Sequence, residues 1–236
     1  MKIIQNYING KFCKKEEIIE DINPATGKII ASIPKSNLDD VEKAVGAADE
    51  ARVNWSNLSL EERTNWLEKI AIVLESRSEE IASLESLDTG KPIALARAVD
   101  AARSVTNFRF FAEFARSYSE EKFEMEDATN HVILKPVGIA GLITPWNLPL
   151  YLLSWKIAPA IVMGNTVVAK PSELTPLTAN LLAEVIHEVG LPAGVVNIVH
   201  GLGSEVGQAI VEHPKVNLIS FTGGTQTGRK VAETAS

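Results

Sequence analysis

Apolar positions along this chain follow two different spacings. From Leu38 to Trp55, Val41, Ala44, Val45, Ala48 and Ala51 recur every three or four residues, which predicts an amphipathic helix. Ser59-Leu60-Glu61-Glu62 has the form of a capping box and opens a second helix through about Glu75, whose continuation to Thr89 ends at Gly90. Pro92 marks a fresh start, and a third helical stretch is expected from about Ile93 to Tyr118. Before these helices, residues 6–33 alternate short apolar runs with Asn-Gly and Pro-Ala-Thr-Gly turn signals, and predict a small peripheral hairpin-like region. Residues 119–137 lose the helical period and read as two short strands around a polar turn, an arm suited to pairing with another subunit.

From Gly138 onward continuous apolar runs alternate with helical patterns. GIAGLIT, NTVVAKP, VVNIVHG and LISFTG read as strands, and the segments between and after them as helices. Strands apolar on both faces and separated by helices indicate an α/β fold with a doubly wound parallel sheet, preceded by N-terminal helices and a small β arm. Three segments are expected: 1–118 packing on the sheet domain, 119–137 as the arm, and 138–236 as the sheet domain itself.

Gly138 to Glu173 holds the densest candidate chemistry, because two of these strands each run out into polar residues. Ligand sites in open parallel sheets lie beyond the strands' C-terminal ends. Asn147, Lys170 and Glu173 stand out there. A cation and a carboxylate at a strand end also fit a plain surface ion pair. Gly201-Leu202-Gly203-Ser204-Glu205-Val206-Gly207 is one residue off the G-x-G-x-x-G dinucleotide fingerprint and is weak alone. Phe221-Thr222-Gly223-Gly224-Thr225 joins a strand to a helix, where free N–H groups suit phosphate, although turn chemistry alone explains such glycines equally well.

Composition narrows the function classes. A net charge of −7 over 236 residues gives no electrostatic footprint for nucleic acid. The longest apolar region, about 137–169, is broken by Pro145, Asn147, Pro149, Lys156 and Pro159, so no membrane span is expected. Cys13 is the one cysteine, which excludes an internal disulfide and fits a reducing, cytoplasmic setting. His131, His187, His200 and His213 have no metal-ligand spacing, so no metal is expected. Arg97, Arg103, Arg109 and Arg116 share the third helix; they either pair with Asp100 and Glu113 on a solvated face, or one of them binds a carboxylate in a site.

Thr144-Pro145-Trp146-Asn147-Leu148-Pro149, Gly164 to Pro176 with Lys170-Pro171-Ser172-Glu173 at its centre, and Phe221-Thr222-Gly223-Gly224 resemble successive signatures of the aldehyde dehydrogenase superfamily. Asn23-Pro24-Ala25-Thr26-Gly27 and Asp88-Thr89-Gly90-Lys91-Pro92 also match it. The resemblance implies a Rossmann-like domain of the aldehyde dehydrogenase type that binds NAD. In that family a cysteine passes through a thiohemiacetal and a thioester while hydride moves to the cofactor. By position Asn147 would donate to the developing oxyanion, and Trp146 with the backbone of Ile143, Thr144 and Pro145 would line the cofactor. Lys170, Ser172 and Glu173 would hold the adenosine ribose, favouring NAD+ over NADP+. Gly203 and Gly207 would pack near the adenine, and Phe221, Thr222, Gly223, Gly224 and Thr225 near the pyrophosphate. Gly224 replaces a serine common in the family, so that hydroxyl is lost while backbone donors remain.

Ala94 to Arg97, Arg103 to Ala112 and Pro149 to Lys156 are most similar to 2-aminomuconic and 2-hydroxymuconic semialdehyde dehydrogenases. Their acidic substrates give an arginine a task, and Arg103 is the candidate. A betaine aldehyde is the alternative substrate, and a non-catalytic nucleotide-binding or subunit-interaction protein the alternative class. The family's general-base glutamate, in a Glu-Leu-Gly-Gly motif, and its nucleophilic cysteine have no counterpart before Ser236. The expectation is therefore an N-terminal half, inactive alone. Its expected partners are a small-molecule aldehyde, further copies of itself as a homo-oligomer, and a complementary C-terminal half.

Overall fold

The computed structural model describes residues 1–119 and 121–236. Five short strands come first: β1 (Lys2–Ile3), β2 (Asn6–Ile8), β3 (Lys11–Cys13), β4 (Ile18–Ile22) and β5 (Ile29–Pro34). β1, β5 and β4 form a three-stranded sheet in that order. Its β4–β5 turn is built by Asn23, whose Oδ1 accepts from the Ala25 and Thr26 N–H groups at 2.8 and 3.2 Å, with Gly27 at a φ of 68°. The β2–β3 hairpin turns on Asn9 and Gly10, both at positive φ.

Three helices follow. α1 (Leu38–Ser56) starts in a capping box between Asn37 and Asp40. α2 (Leu60–Ser76) starts in the predicted one, with Glu62 N–H donating to Ser59 Oγ at 3.2 Å and Ser59 N–H donating to Glu62 Oε2 at 2.7 Å. α3 (Ser78–Thr89) stops at Gly90, which takes the left-handed conformation. The third predicted helix is not uniform: α4 (Ile93–Leu95) runs into a π-helical turn at Ala96–Ala101 and then into α5 (Ala102–Ser117). β6 (Glu121–Glu124) and β7 (Thr129–Val132) make an exposed antiparallel hairpin.

The remainder alternates as its hydrophobicity predicts: β8 (Ile139–Ile143), α6 (Pro149–Val162), β9 (Thr166–Lys170), α7 (Leu177–Glu188), β10 (Val196–Ile198), a π-helical turn at Gly203–Gly207 leading into α8 (Gln208–Glu212), β11 (Val216–Phe221) and α9 (Thr225–Ala235). The main sheet has the order β11-β8-β9-β10-β2-β3, with β11, β8, β9 and β10 mutually parallel. Residues 6–13 are therefore not peripheral, as their turn signals suggested. The β2–β3 hairpin extends the main sheet, β2 running antiparallel to β10 with Tyr7 opposite Ile198.

Alternation along the strands splits the core into two layers. Ala140, Leu142, Val167 and Ala169 pack with Phe108 of α5 and with apolar residues of α2, α6 and α7. Ile139 and Val168 point the other way, onto Val41, Val45 and Ala48 of α1 and Ile210 of α8. The sheet is thus covered on both faces, as a doubly wound fold requires. Gly141 admits α8: a Cβ there would lie 2.6 Å from Ile210 Cγ2 and 2.7 Å from Ile219 Cδ1. Among the described residues, no helix is long and apolar enough to cross a membrane.

Candidate functional site

After β8 the chain winds to β9 and β10 on one side, then crosses back so that β11 pairs with β8 on the other. Strand order reverses there, and the crevice beyond the C-terminal ends of β8 and β11 is where such a sheet binds ligands. A cavity of about 590 Å³ lies at that point, lined by Ile143, Glu173, Gly203, Ser204, Gly207, Gln208, Phe221, Thr227 and Lys230. Five residues expected from sequence, Ile143, Glu173, Gly203, Gly207 and Phe221, meet on its wall.

Lys170 ends β9 beneath this wall. It is 3% exposed and its ammonium is ion-paired with the Glu173 carboxylate. Burial pushes the lysine below its ordinary pKa, and Glu173 opposes that shift. For Glu173 burial acts upward, but the Lys170 charge and hydrogen bonds, including one from Gly203 N–H, bring it net below the usual carboxylate range. Glu173 therefore presents an ionised carboxylate to the cavity. His200, at the end of β10, is 1% exposed, and neither ring nitrogen has a hydrogen-bond partner. Burial first and the Lys170 charge second lower its pKa to about 3, so the ring is neutral.

The loops beyond the strands place the other candidates. Thr144 N–H donates to the Lys170 carbonyl at 3.2 Å, and Thr222 N–H to the Ile143 carbonyl at 3.1 Å, so both loops continue the sheet ladder. Pro145 is half-buried, Asn147 is exposed, and Trp146 is 57% exposed in a separate groove with Ile22, Pro24, Leu174 and Thr175. Ser172 faces its own turn, its Oγ accepting from Leu174 N–H at 3.2 Å. Gly223, Gly224 and Thr225 lie exposed at the start of α9, where Gly224 supplies no side-chain cap and the Phe221 ring covers Gly223.

Arg103 reaches neither cavity wall, yet its surroundings are distinctive. Arg97, Arg109 and Arg116 pair with Glu79, Glu75 and Glu68 at 2.7, 2.6 and 3.2 Å, rather than with Asp100 or Glu113. Arg103 is exposed and has no ion pair among the described residues. Two contacts join α5 and α6, and one links the segments that precede them. Lys91 Nζ joins Asp100 Oδ1 at 2.8 Å to the Asn147 carbonyl at 3.2 Å, Asn107 Nδ2 donates to the Tyr151 carbonyl at 3.0 Å, and the Phe111 ring lies 5.4 Å from that of Trp155. Arg103 sits one turn before Asn107 on α5, and Asn147 lies in the loop that leads into α6.

Several residues escaped the sequence reading. Lys156, visible there only as a break in an apolar run, is nearly buried beneath an aromatic groove with Phe111 and Trp155. Its Nζ donates to Ser220 Oγ at 2.7 Å, and burial lowers its pKa. Gln208 and Lys230 line the main cavity from α8 and α9, with no signal in their spacing. Glu85 and Asp88 of α3 turn inward: Glu85 Oε1 accepts from Leu150 N–H of α6 at 3.0 Å, and Asp88 Oδ2 from Leu177 N–H of α7 at 2.9 Å. Among the described residues no group of three or more His, Cys, Asp or Glu could hold a metal ion.

Comparison with known proteins bears on this geometry. Residues 12–236 match the model of the aldehyde dehydrogenase family. The human (Homo sapiens) 2-aminomuconic semialdehyde dehydrogenase is 48% identical over 98% of this chain and 48% of its own length. The 2-hydroxymuconic semialdehyde dehydrogenase of Pseudomonas sp. (strain CF600) is 43% identical over 100% of this chain and 50% of its own. An NAD+ complex of an aldehyde dehydrogenase from Bacillus cereus superposes with a TM-score of 0.96 at 36% identity, covering 99% of this chain and 49% of the other. The chain spans about half the length of the curated relatives it matches.

Proposed function

This chain belongs to the aldehyde dehydrogenase family, and on that premise we propose that it is the cofactor-binding portion of an NAD-dependent dehydrogenase for an acidic semialdehyde. What carries the reading is the Lys170–Glu173 pair on the switch-point cavity. The cavity fits a dinucleotide's adenosine end: Gly203 and Gly207 present no side chain at their two positions on its wall, and Glu173 offers a charged acceptor for ribose hydroxyls. A 2′-phosphate would meet that carboxylate, which favours NAD+ over NADP+. Lys170 holds Glu173 ionised and oriented. The uncapped N–H groups of Gly224 and Thr225 suit the pyrophosphate, with Phe221, Thr222 and Gly223 shaping that turn. Trp146 and the backbone of Ile143, Thr144 and Pro145 would line the cofactor, and Ser172 keeps the Glu173 turn in shape. When bound, NAD+ supplies the hydride acceptor.

Asn147 has an exposed carboxamide whose N–H groups would stabilise negative charge developing on an aldehyde oxygen. Arg103, exposed and without an ion pair among the described residues, would bind a carboxylate at the far end of the substrate. A cationic betaine aldehyde would be repelled there. The β6–β7 hairpin, exposed along both strands, suits pairing with a further copy. Cys13 lies on β3, four strand spacings from β8, about 19 Å across the sheet. No thiol of these residues reaches Asn147, so this polypeptide alone is expected not to turn over aldehyde.

The test is a calorimetric titration of the chain with NAD+ and with NADP+, alongside an NADH-formation assay with acidic and neutral aldehydes. NAD+ binding without turnover is expected. Tighter binding of NADP+, or sustained NADH formation, would overturn the corresponding part.

A further inference from the structure

The Asp88-Thr89-Gly90-Lys91-Pro92 turn has no task in the reading above, yet it stands against the loop that carries Asn147. Gly90, at a φ of 74°, ends α3 and reverses the chain; a Cβ there would lie 3.0 Å from Pro24 Cγ. Lys91 is thereby laid over the last turn of α3, its backbone held from both sides. Ser86 Oγ donates to the Lys91 carbonyl at 2.7 Å, and Lys91 N–H donates to Thr89 Oγ1 at 3.3 Å.

The Lys91 ammonium meets oxygens from three elements. Asp100 Oδ1 of the π-helical turn is 2.8 Å away, Glu85 Oε2 of α3 is 3.9 Å away, and the Asn147 carbonyl accepts at 3.2 Å. Donation to that carbonyl fixes the peptide plane between Asn147 and Leu148. Glu85 fixes the other end of the same loop, its Oε1 accepting from Leu150 N–H at 3.0 Å and from Thr178 Oγ1 at 2.8 Å. Leu150 is the second residue of α6, where an N-cap side chain normally supplies the acceptor. The N-cap here is Leu148, which has none, so α3 caps α6 from outside.

We infer that Lys91 and Glu85 are positioning residues for the Asn147 carboxamide, clamping the Asn147-to-Leu150 backbone between them. The consequence rests on Asn147 being the oxyanion donor; the clamp itself does not. A donor contributes most when its orientation is set before charge develops. Asn147 leaves its own side chain out of the clamp, free for a ligand, while its backbone is held by groups that touch no ligand.

Hydrogen–deuterium exchange on the 236-residue chain, without cofactor or aldehyde, tests this. Lys91→Met keeps the stem and removes the donor; exchange in peptides covering 145–152 should rise about tenfold, while β9 keeps its protection. Lys91→Arg, which restores a cation and N–H donors, should recover most of the loss, a rescue that mere packing of the stem would not show. Glu85→Gln keeps a carbonyl acceptor and should raise exchange in the same peptides less than Lys91→Met, which keeps a readout if the methionine variant folds poorly. Asn147→Ala should change nothing in these peptides. Unchanged exchange in Lys91→Met, a rise spread evenly over the chain, or no rescue by arginine would overturn the clamp. Failure of the unmodified chain to bind NAD+ in the calorimetric titration would, by contrast, count against the cofactor reading alone.

Discussion

Glu85→Gln should flatten the acid side of this protein's stability curve. In the unfolded chain the carboxyl has its ordinary pKa of 4.5; in the fold it is raised to about 7, by burial first and by the Asp100 charge second. The Leu150 N–H, the Thr178 hydroxyl and Lys91 pull it down, but not enough to compensate. Between those two values the folded chain keeps a proton that the unfolded chain releases. The stability from this group is thus complete below pH 4.5 and is lost as pH rises through about 7. At about 1.4 kcal/mol per unit the loss is about 3 kcal/mol. Other buried groups also tilt the curve. Asp21 and Asp88, facing each other in the interior, are raised by burial and act with the same sign, whereas His200 is lowered and loses stability as pH falls below its ordinary 6.5. His200 and the burial of Asp21 and Asp88 remain in the variant and cancel in the difference; the part of the Asp88 shift that comes from the Glu85 charge goes with the substitution and adds to it with the same sign. Urea unfolding followed by far-UV circular dichroism, at fixed salt from pH 4.5 to 8, gives that difference. Wild type minus variant should fall by about 3 kcal/mol up to pH 7 and then level off. Parallel curves would refute the assignment of a buried, titrating carboxyl to Glu85.

Glu173→Gln should weaken NAD+ binding about tenfold and narrow the preference over NADP+, because a neutral amide neither accepts as strongly from ribose nor repels a 2′-phosphate; calorimetry reads both. Arg103→Ala should weaken binding of an unsaturated dicarboxylate about tenfold, followed through quenching of the exposed Trp155, whereas Arg109→Ala, whose guanidinium is already paired with Glu75, should not. Gly141→Ala should cost about 1–3 kcal/mol of stability through the contacts with Ile210 and Ile219, and Phe108→Ala about 3–5 kcal/mol through a cavity beneath the sheet, both measurable by denaturant unfolding.

The parts of the fold visible in sequence are those written in long periods. Val41 to Ala51 and the four apolar strands after Gly138 repeat often enough to fix element type and which faces are buried. Strand ends then point to the cavity, and Glu173, Gly203 and Phe221 meet there. Turn signals over residues 6–33 predict a peripheral region, and the β2–β3 hairpin departs from it because three-residue strands carry no period. It is held to β10 by side-chain bonds no local pattern encodes, from His200 N–H to Asn6 Oδ1 at 2.8 Å and from Asn9 N–H to Asn197 Oδ1 at 2.9 Å. The arginines' partners were misread for a related reason. Helix spacing predicts neighbours on one helix, but Glu68, Glu75 and Glu79 lie on others. Glu85, Asp88 and Asp100 carry the formal charge of surface residues; burial and partners only the tertiary structure supplies turn them into caps and ion pairs.

Why such costly buried acidic groups should sit beside this site follows from where its loops begin. The last backbone groups of β8 and β9 are already used within the sheet, as the Thr144-to-Lys170 and Thr222-to-Ile143 bonds show. Beyond them, a loop that must keep its face open to a ligand has to be held from behind. The N-caps Leu148 and Pro176 offer no side-chain acceptor, so α6 and α7 cannot hold their own first turns. Two carboxylates one turn apart on α3 do it for both: Glu85 for the loop with Asn147, Asp88 for the loop with Glu173. A buried carboxyl group supplies the acceptor oxygen that these N-caps lack. The same burial that makes it a rigid tie raises its pKa, so the pH dependence predicted for Glu85 and the local exchange predicted for Lys91 probe one arrangement by two independent routes.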